Sequence, residues 1–142
     1  MDRSFTELQR DEFVHLVRTA LRACDRPDLL LAHPLLASGW LAARAGATVD
    51  RLAAGRALSA ALRDECRRLF ASPRDRVLDR IIEETFFRPS GKQELIAAQL
   101  GLAYSTYRRH LALAVTRLAD ALQAQMASAE AASLWSSPPA AQ

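Results

Sequence analysis

Apolar side chains recur at helical spacing along most of this chain. Between positions 4 and 24 they return every few residues, as on one face of an amphipathic helix. The same spacing predicts a short helix over positions 35–43 and a longer one, capped by Thr48, that extends to Phe70. No segment alternates apolar and polar residues as a half-buried strand does, so the sequence predicts an all-α fold.

A second group of helices is predicted to begin at Ser72. The Ser72 hydroxyl can cap a helix, Pro73 suits the first helical position, and Asp75 places an acid in the first turn. This helix is predicted to end at Phe87, and a turn over positions 89–91 follows it. The residues expected to face inward are Val77, Leu78, Ile81, Ile82 and Phe86.

Positions 94–118 carry the most informative pattern in the chain. A short amphipathic helix over positions 93–100 leads to Gly101, which can adopt the positive φ of a tight turn. Ser105 or Thr106 can cap a second helix after that turn. The apolar skeleton of the unit is Ile96, Ala97, Leu100, Leu102, Tyr107, Leu111, Ala114 and Leu118. This is a helix-turn-helix pattern, in which the second helix enters the major groove of DNA.

The spacing within this unit resembles region 4 of the bacterial σ70-type factors and the related response-regulator domains. The resemblance covers roughly fifty residues, from about 74 to about 122. The positions that agree are Ile96, Ala97, Leu100, Gly101, Leu102, Thr106, Tyr107, Arg108, Leu111, Ala114 and Leu118. The resemblance implies a helix-turn-helix fold and a role as a DNA-binding transcription regulator.

By this resemblance, the exposed start of the second helix would contact DNA. Thr106, Arg108 and Arg109 would face the groove, and arginine is suited to bidentate contacts with guanine and phosphate. Arg88 and Lys92 flank the turn before the first motif helix and could contact phosphates. The full set of candidate DNA-binding residues is Arg88, Lys92, Tyr104, Ser105, Thr106, Arg108, Arg109 and His110. The alternative is that these are simply solvated side chains on an exposed helix.

Several positions depart from the family pattern. Leu95 stands where the family usually has glutamate, and Ala103 stands where it usually has serine. Ala112, Leu113 and Val115 occupy positions that are normally polar or basic, so the second half of this helix is apolar almost all round. Such a helix is expected to be buried, either by the N-terminal segment or by another copy of the chain. The missing cations should also weaken binding to phosphates.

The chain length of 142 residues suits one compact domain or two small helical subdomains that share a core. We predict a helical packing or dimerisation segment at 1–71, packed with a helix-turn-helix bundle at 72–125. Residues 126–142 are predicted to be a flexible tail.

Composition adds little to this interpretation. The net charge of +3 permits nucleic-acid binding without requiring it, and a GC-rich coding bias also explains an excess of arginine over the single Lys92. The histidines and cysteines lack metal-ligand spacing, the glycines form no phosphate loop, and no pair of catalytic carboxylates is expected. We therefore expect no enzymatic activity, metal or cofactor. Cys24 and Cys66 are expected to be buried, reduced thiols.

The sequence thus predicts a cytoplasmic, DNA-binding transcription regulator. The start of the chain lacks a signal-peptide pattern, and no apolar run approaches the roughly 20 residues of a membrane span. The expected partners are double-stranded DNA and a second copy of the chain, or a partner regulatory protein. The alternative is a helical protein-interaction module that kept the fold with weak or no DNA binding. Arg108 and Arg109 favour the regulator, while Ala112, Leu113 and Val115 favour the alternative.

Overall fold

The computed structural model describes residues 5–45 and 50–136. Within these residues the chain is helical and contains no strand, which confirms the all-α fold. The α-helices are α1 (Arg10–Arg22), α2 (Gly39–Ala45), α3 (Arg51–Leu69), α4 (Arg76–Ile82), α5 (Gln93–Gln99) and α6 (Tyr104–Ser136). Short 3-10 turns lie at Phe5–Glu7, Pro27–Leu30, Pro34–Ala37 and Pro73–Asp75, and a π-helical turn, Glu83–Phe87, continues α4.

Helix α6 is the central element of the fold, because it packs against α1, α2, α4 and α5. Its inward face contributes a continuous buried stripe at helical spacing. The members of this stripe are Tyr107, Leu111, Ala114, Val115, Leu118, Ala119, Leu122 and Met126. The helix therefore joins the N-terminal segment to the C-terminal unit through one hydrophobic core.

The N-terminal segment covers the middle of α6. Arg10, at the start of α1, donates hydrogen bonds to both carboxylate oxygens of Asp120, at 3.1 and 2.7 Å. The Gln123 side chain donates to the backbone carbonyls of Phe5 and Leu8, at 3.0 and 3.1 Å. Helix α1 also contacts the π-helical turn Glu83–Phe87, which lies against Tyr107 in the first turn of α6, so the two helices run antiparallel.

This packing corrects the expectation that the second half of the motif helix is buried all round. Val115 is fully buried by the chain itself, but Ala112 is exposed and Leu113 retains 48% of its accessible surface. The reason is that the neighbouring helices cover only one face of α6. The sequence allows either the N-terminal segment or another copy of the chain to cover this helix. In the structure, the N-terminal segment of the same chain covers it.

Helix α3 lies against the 3-10 turn Pro27–Leu30 at an unusually close distance. A Cβ atom built on Gly55 would lie 2.6 Å from the carbonyl oxygen of Pro27, so only glycine fits at this contact. The Asp50 side chain caps α3 by accepting a hydrogen bond from the Leu52 N–H at 3.0 Å. Thr48, the predicted cap, lies outside the described residues.

The helical segment that leads into α4 begins at Pro73 after a Ser72 cap, as the sequence predicts, but its first turn is a 3-10 turn and α4 itself begins at Arg76. The Ser72 hydroxyl accepts a hydrogen bond from the Arg74 N–H at 3.3 Å. Arg117 of α6 donates to both carboxylate oxygens of Asp75, at 2.9 and 3.2 Å, and these hydrogen bonds hold the pKa of Asp75 below its usual value. The predicted inward residues are buried except Val77, which is 46% exposed.

A polar cluster joins α2, α3 and α6 on the far side of the fold. Glu65 of α3 is buried, and its carboxylate accepts hydrogen bonds from Arg44 and Gln125, both at 2.5 Å, and from Arg68. The Gln125 carbonyl in turn accepts a hydrogen bond from the Trp40 indole at 2.9 Å. Each of these polar groups is thus satisfied within the cluster.

Helix α6 continues through Ser136, into the segment that the sequence predicts as a tail. Met126 still packs into the core near the start of that segment. Residues 137–142 lie outside the described residues.

Candidate nucleic-acid interface

The turn between α5 and α6 has the geometry that its glycine predicts. Gly101 has a φ of +72°, its N–H donates to the carbonyl of Ala98 at 3.0 Å, and the Leu102 N–H donates to the carbonyl of Ala97 at 2.9 Å. These paired bonds define a Schellman turn, which satisfies the last carbonyls of α5 and redirects the chain. The turn therefore fixes where α6 begins.

Helix α6 begins earlier than the predicted caps would allow. Its first residue is Tyr104, and the carbonyl of Ala103 accepts the hydrogen bond from the Tyr107 N–H at 2.9 Å. Ser105 and Thr106 consequently lie inside the first turn, and the prediction that one of them caps the helix is wrong. The residue before the helix, Ala103, has no side-chain acceptor for the N–H groups at the helix end.

Tyr107 anchors the first turn of α6 to the rest of the protein. Its side chain is fully buried, and its hydroxyl lies 2.5 Å from the Thr85 hydroxyl in the π-helical turn. Burial raises the pKa of Tyr107, so the phenol stays protonated. The Tyr104 ring stacks at 6.3 Å from the Tyr107 ring and remains partly exposed.

The arginine pair predicted from the sequence projects from this anchored turn. Arg108 and Arg109 are exposed; the Arg108 guanidinium lies 5.8 Å from the centre of the Tyr104 ring, and Arg109 donates to the Thr106 hydroxyl at 3.5 Å. Among the residues that the structure describes, no carboxylate forms an ion pair with either arginine. These cations are therefore available to an external anion.

Other arginines of the chain are used differently. Arg44, Arg63 and Arg117 are partly buried, and each forms an ion pair with a carboxylate of another helix or turn. Arg63 and Arg117 also lie over the rings of Phe87 and Phe70, at 5.4 and 5.1 Å. These three arginines therefore stabilise the fold, whereas Arg108 and Arg109 at the start of α6 are unpaired.

The structure brings some of the remaining predicted residues to the same surface. Ser105 is exposed beside the arginine pair, while His110 is half-buried on another side of the helix. Lys92 is exposed immediately before α5. Arg88 is also exposed, and its Nε lies 4.0 Å from a carboxylate oxygen of Glu83, which partly compensates its charge. The predicted set thus has a compact part on α6 and two outlying cations near α5.

Sequence reasoning missed two arginines that belong to the same region. The last turns of α1 lie beside the first turns of α6, and they carry Arg18 and Arg22. Burial lowers the pKa of Arg18, and the positive charges of Arg22 and Arg108 lower it further. Their spacing in sequence puts Arg18 and Arg22 on one face of α1, but only the pairing of α1 with α6 brings them to Arg108.

An apolar groove lies next to His110, between α4 and α6. It is lined by Val77, Leu102 and Leu113, and the charged pair Asp75–Arg117 forms one rim. Val77 and Leu113 are 46% and 48% exposed. This groove is an apolar surface close to the arginine pair.

Cys24 and Cys66 are free and buried, as predicted. Burial raises the pKa of the Cys24 thiol to about 12, so neither a thiolate nucleophile nor a thiolate metal ligand is favoured there. In residues 5–45 and 50–136, no cluster of three or more histidine, cysteine, aspartate or glutamate side chains is arranged to hold a metal ion. Over the same residues, no helix combines the length and apolarity needed to cross a membrane.

The chain has no significant match to a protein-family model, to a curated protein or to a solved structure. The similarity to σ-factor region 4 therefore stays a prediction from sequence. The geometry and charge of the α5–turn–α6 unit are the basis for any functional inference.

Proposed function

We propose that this protein binds double-stranded DNA through the start of α6 and acts as a transcription regulator. The observation that carries the proposal is the exposed pair Arg108 and Arg109, which lacks carboxylate partners among the described residues and projects from a turn anchored by Tyr107. A preorganised helix end with unpaired arginines suits both phosphate and guanine contacts.

Two features of the first turn support contact with phosphate. Ala103 provides no side-chain cap, so the N–H groups at the end of α6 can donate to an external oxygen. Arg108 is held over the Tyr104 ring, which limits the side-chain entropy lost when it binds an anion. Lys92 and Arg88 would add contacts to the backbone of the same duplex, with Arg88 weakened by its proximity to Glu83.

A dimer belongs to this proposal because a single recognition helix reads only a short site with little specificity. The N-terminal segment already covers α6 within one chain, so a second copy would have to use a different surface. Light scattering at several protein concentrations tests the dimer, and a monomer mass throughout would remove it from the proposal. A regulator of the bacterial type that the sequence resembles would act in the cytoplasm.

A second candidate function is a protein-interaction module with weak or no DNA binding. The observation that favours it is the groove lined by Val77, Leu102 and Leu113, whose exposed apolar surface lies close to the arginine pair. Apolar side chains that are exposed together in one groove can form a surface that contacts another protein. Leu113→Gln should leave DNA affinity almost unchanged if the regulator proposal is right.

Fluorescence anisotropy with a labelled mixed-sequence duplex tests the main proposal. We expect the double variant Arg108→Ala/Arg109→Ala to lose most of the binding and to reduce the slope of log Kd against log salt by about two. The control is Arg10→Ala/Arg56→Ala, which removes the same charge from exposed positions elsewhere on α1 and α3. Absence of salt-dependent binding by the unmodified protein at about 50 mM salt would contradict the proposal.

A further inference from the structure

The end of α1 and the start of α6 form a continuous surface. The Arg10–Asp120 ion pair lies exposed at the opposite end of α1, and the facing side chains of the two helices are buried along their contact. Val17 and Leu21 on α1 and Leu111 on α6 are among the buried residues. This packing holds the last turn of α1 at a fixed position relative to the proposed DNA-binding turn.

The outward side of that surface carries an uncompensated group of positive charges. Arg22 is exposed and Arg18 is half-buried. Arg10 pairs with Asp120, and the stretch from Arg10 to Arg22 on α1 is as long as that from Asp120 to Arg108 on α6, so the antiparallel packing brings Arg22 level with Arg108. Burial lowers the pKa of Arg18, and the positive charges of Arg22 and Arg108 lower it further. Within the described residues, no ion pair joins Arg18 or Arg22 to a carboxylate. Asp25, the acid closest in sequence to Arg22, is exposed in the turn after α1 and forms no ion pair with it.

We propose that Arg18 and Arg22 form an auxiliary phosphate-binding site for the backbone of the duplex that α6 contacts. We call these two residues the α1 arginine pair. The inference rests on the proposed function, and it adds a contact surface outside the helix-turn-helix unit. The partner is the sugar-phosphate backbone of DNA, so this site contributes affinity and orientation rather than base selection.

The geometry of the α1 arginine pair suits a phosphate backbone. Residues four apart on a helix lie on one face and are separated by about 6 Å along the helix axis. Duplex DNA presents a dense row of charges, about one for every 1.7 Å of its axis, so adjacent arginines can each reach a phosphate. Clustered like charges repel one another in the free protein, and an anion between them relieves that repulsion.

Arg22→Ala and Arg10→Ala provide a matched test, because both remove one exposed arginine from α1. Arg10 lies about 18 Å from Arg22 along the helix axis, by the rise of 1.5 Å per residue. We expect Arg22→Ala to weaken binding of a labelled mixed-sequence duplex roughly tenfold near 0.1 M salt and to lower the salt slope by about one. Arg10→Ala should change neither quantity, and Arg22→Lys should restore most of the salt slope.

The possible outcomes separate this inference from the proposed function. Equal affinities for Arg22→Ala and Arg10→Ala, with DNA binding still lost in Arg108→Ala/Arg109→Ala, would overturn the α1 site alone. Absence of DNA binding in the unmodified protein would overturn both proposals. Thermal unfolding of each variant tests whether a change in binding comes from loss of the fold. Arg18→Gln is a second, independent test of the same site.

Discussion

The Tyr107 hydroxyl lies 2.5 Å from the Thr85 hydroxyl, and this contact ties the first turn of α6 to the π-helical turn that ends α4. The Tyr107 ring is fully buried, whereas its neighbours Arg108 and Arg109 are exposed. The buried Tyr107 thus orients the exposed Arg108 and Arg109. A site that relies on the position of a helix end benefits from such an internal anchor, because less order has to be gained on binding.

Tyr107→Phe should lower the free energy of unfolding by about 1 kcal/mol, since it removes one partly buried hydrogen bond and keeps the ring. Tyr104→Phe is the matched control, because the Tyr104 ring is partly exposed and no hydrogen bond of its hydroxyl is found in the described part of the chain. Urea unfolding of the two variants compares them directly. Equal stability of the two variants would show that the Thr85 contact contributes nothing.

Gly101→Ala should destabilise the protein by about 1 kcal/mol through its backbone alone. Gly101 has a φ of +72°, and a Cβ atom added there would meet no other atom within 4 Å. Gly39→Ala is the control: a Cβ atom at Gly39 also meets nothing, but its backbone requires no positive φ, so alanine should be neutral or slightly stabilising. Thermal unfolding should rank Gly101→Ala below the unmodified protein and Gly39→Ala at or above it.

The local features of the fold could be predicted from the sequence because they depend on residues close together in the chain. The spacing of Ile96, Ala97 and Leu100 predicts a short helix, and Gly101 predicts the turn after it. The helical start after Ser72, in the 3-10 turn that precedes α4, follows from capping chemistry within a few residues. The all-α class follows from the same periodicity.

The non-local features could not be predicted. Val115 is buried while Leu113 is half exposed, although both are apolar, because the difference depends on which neighbouring helices pack against α6. The placement of Arg18 and Arg22 near the start of α6 requires the antiparallel pairing of α1 with α6, which no local pattern encodes. The candidate DNA-binding residues within the motif could be predicted from the sequence, whereas those of α1 could not.

Glu65→Gln should lower the free energy of unfolding by about 2 kcal/mol. The Glu65 carboxylate is buried and accepts hydrogen bonds from Arg44, Arg68 and Gln125, so a neutral amide leaves two cations without their counter-charge. The estimate lies below that for a fully buried pair because both arginines reach solvent. Asp120→Asn breaks the exposed pair with Arg10 and serves as a control that should unfold like the unmodified protein. Chemical denaturation measures both, and similar curves would exclude a stabilising role for the Glu65 cluster.

His33 should make the stability of the protein depend on pH below about 6.5. Its Nδ1 accepts a hydrogen bond from the Leu35 N–H at 3.1 Å, so the ring proton lies on Nε2, next to the Leu16 carbonyl and the Thr19 hydroxyl. Burial lowers the pKa of His33, an effect that the hydrogen bond to Leu16 only partly offsets. Because the folded protein resists protonation more than the unfolded chain, its stability is full above the unfolded pKa and falls as pH drops toward the folded pKa.

His33→Asn isolates this contribution, because the asparagine side chain can still accept the Leu35 N–H but does not titrate. The Tm of the unmodified protein should fall more than that of His33→Asn between about pH 7.5 and about pH 5.5, where most carboxylates stay ionised. His15→Asn, at an exposed position of α1, should retain the full pH dependence. A parallel decline of Tm in all three proteins would assign the dependence to groups other than His33. A steeper decline in the unmodified protein and in His15→Asn would show that the neutral imidazole stabilises the connection between α1 and α2.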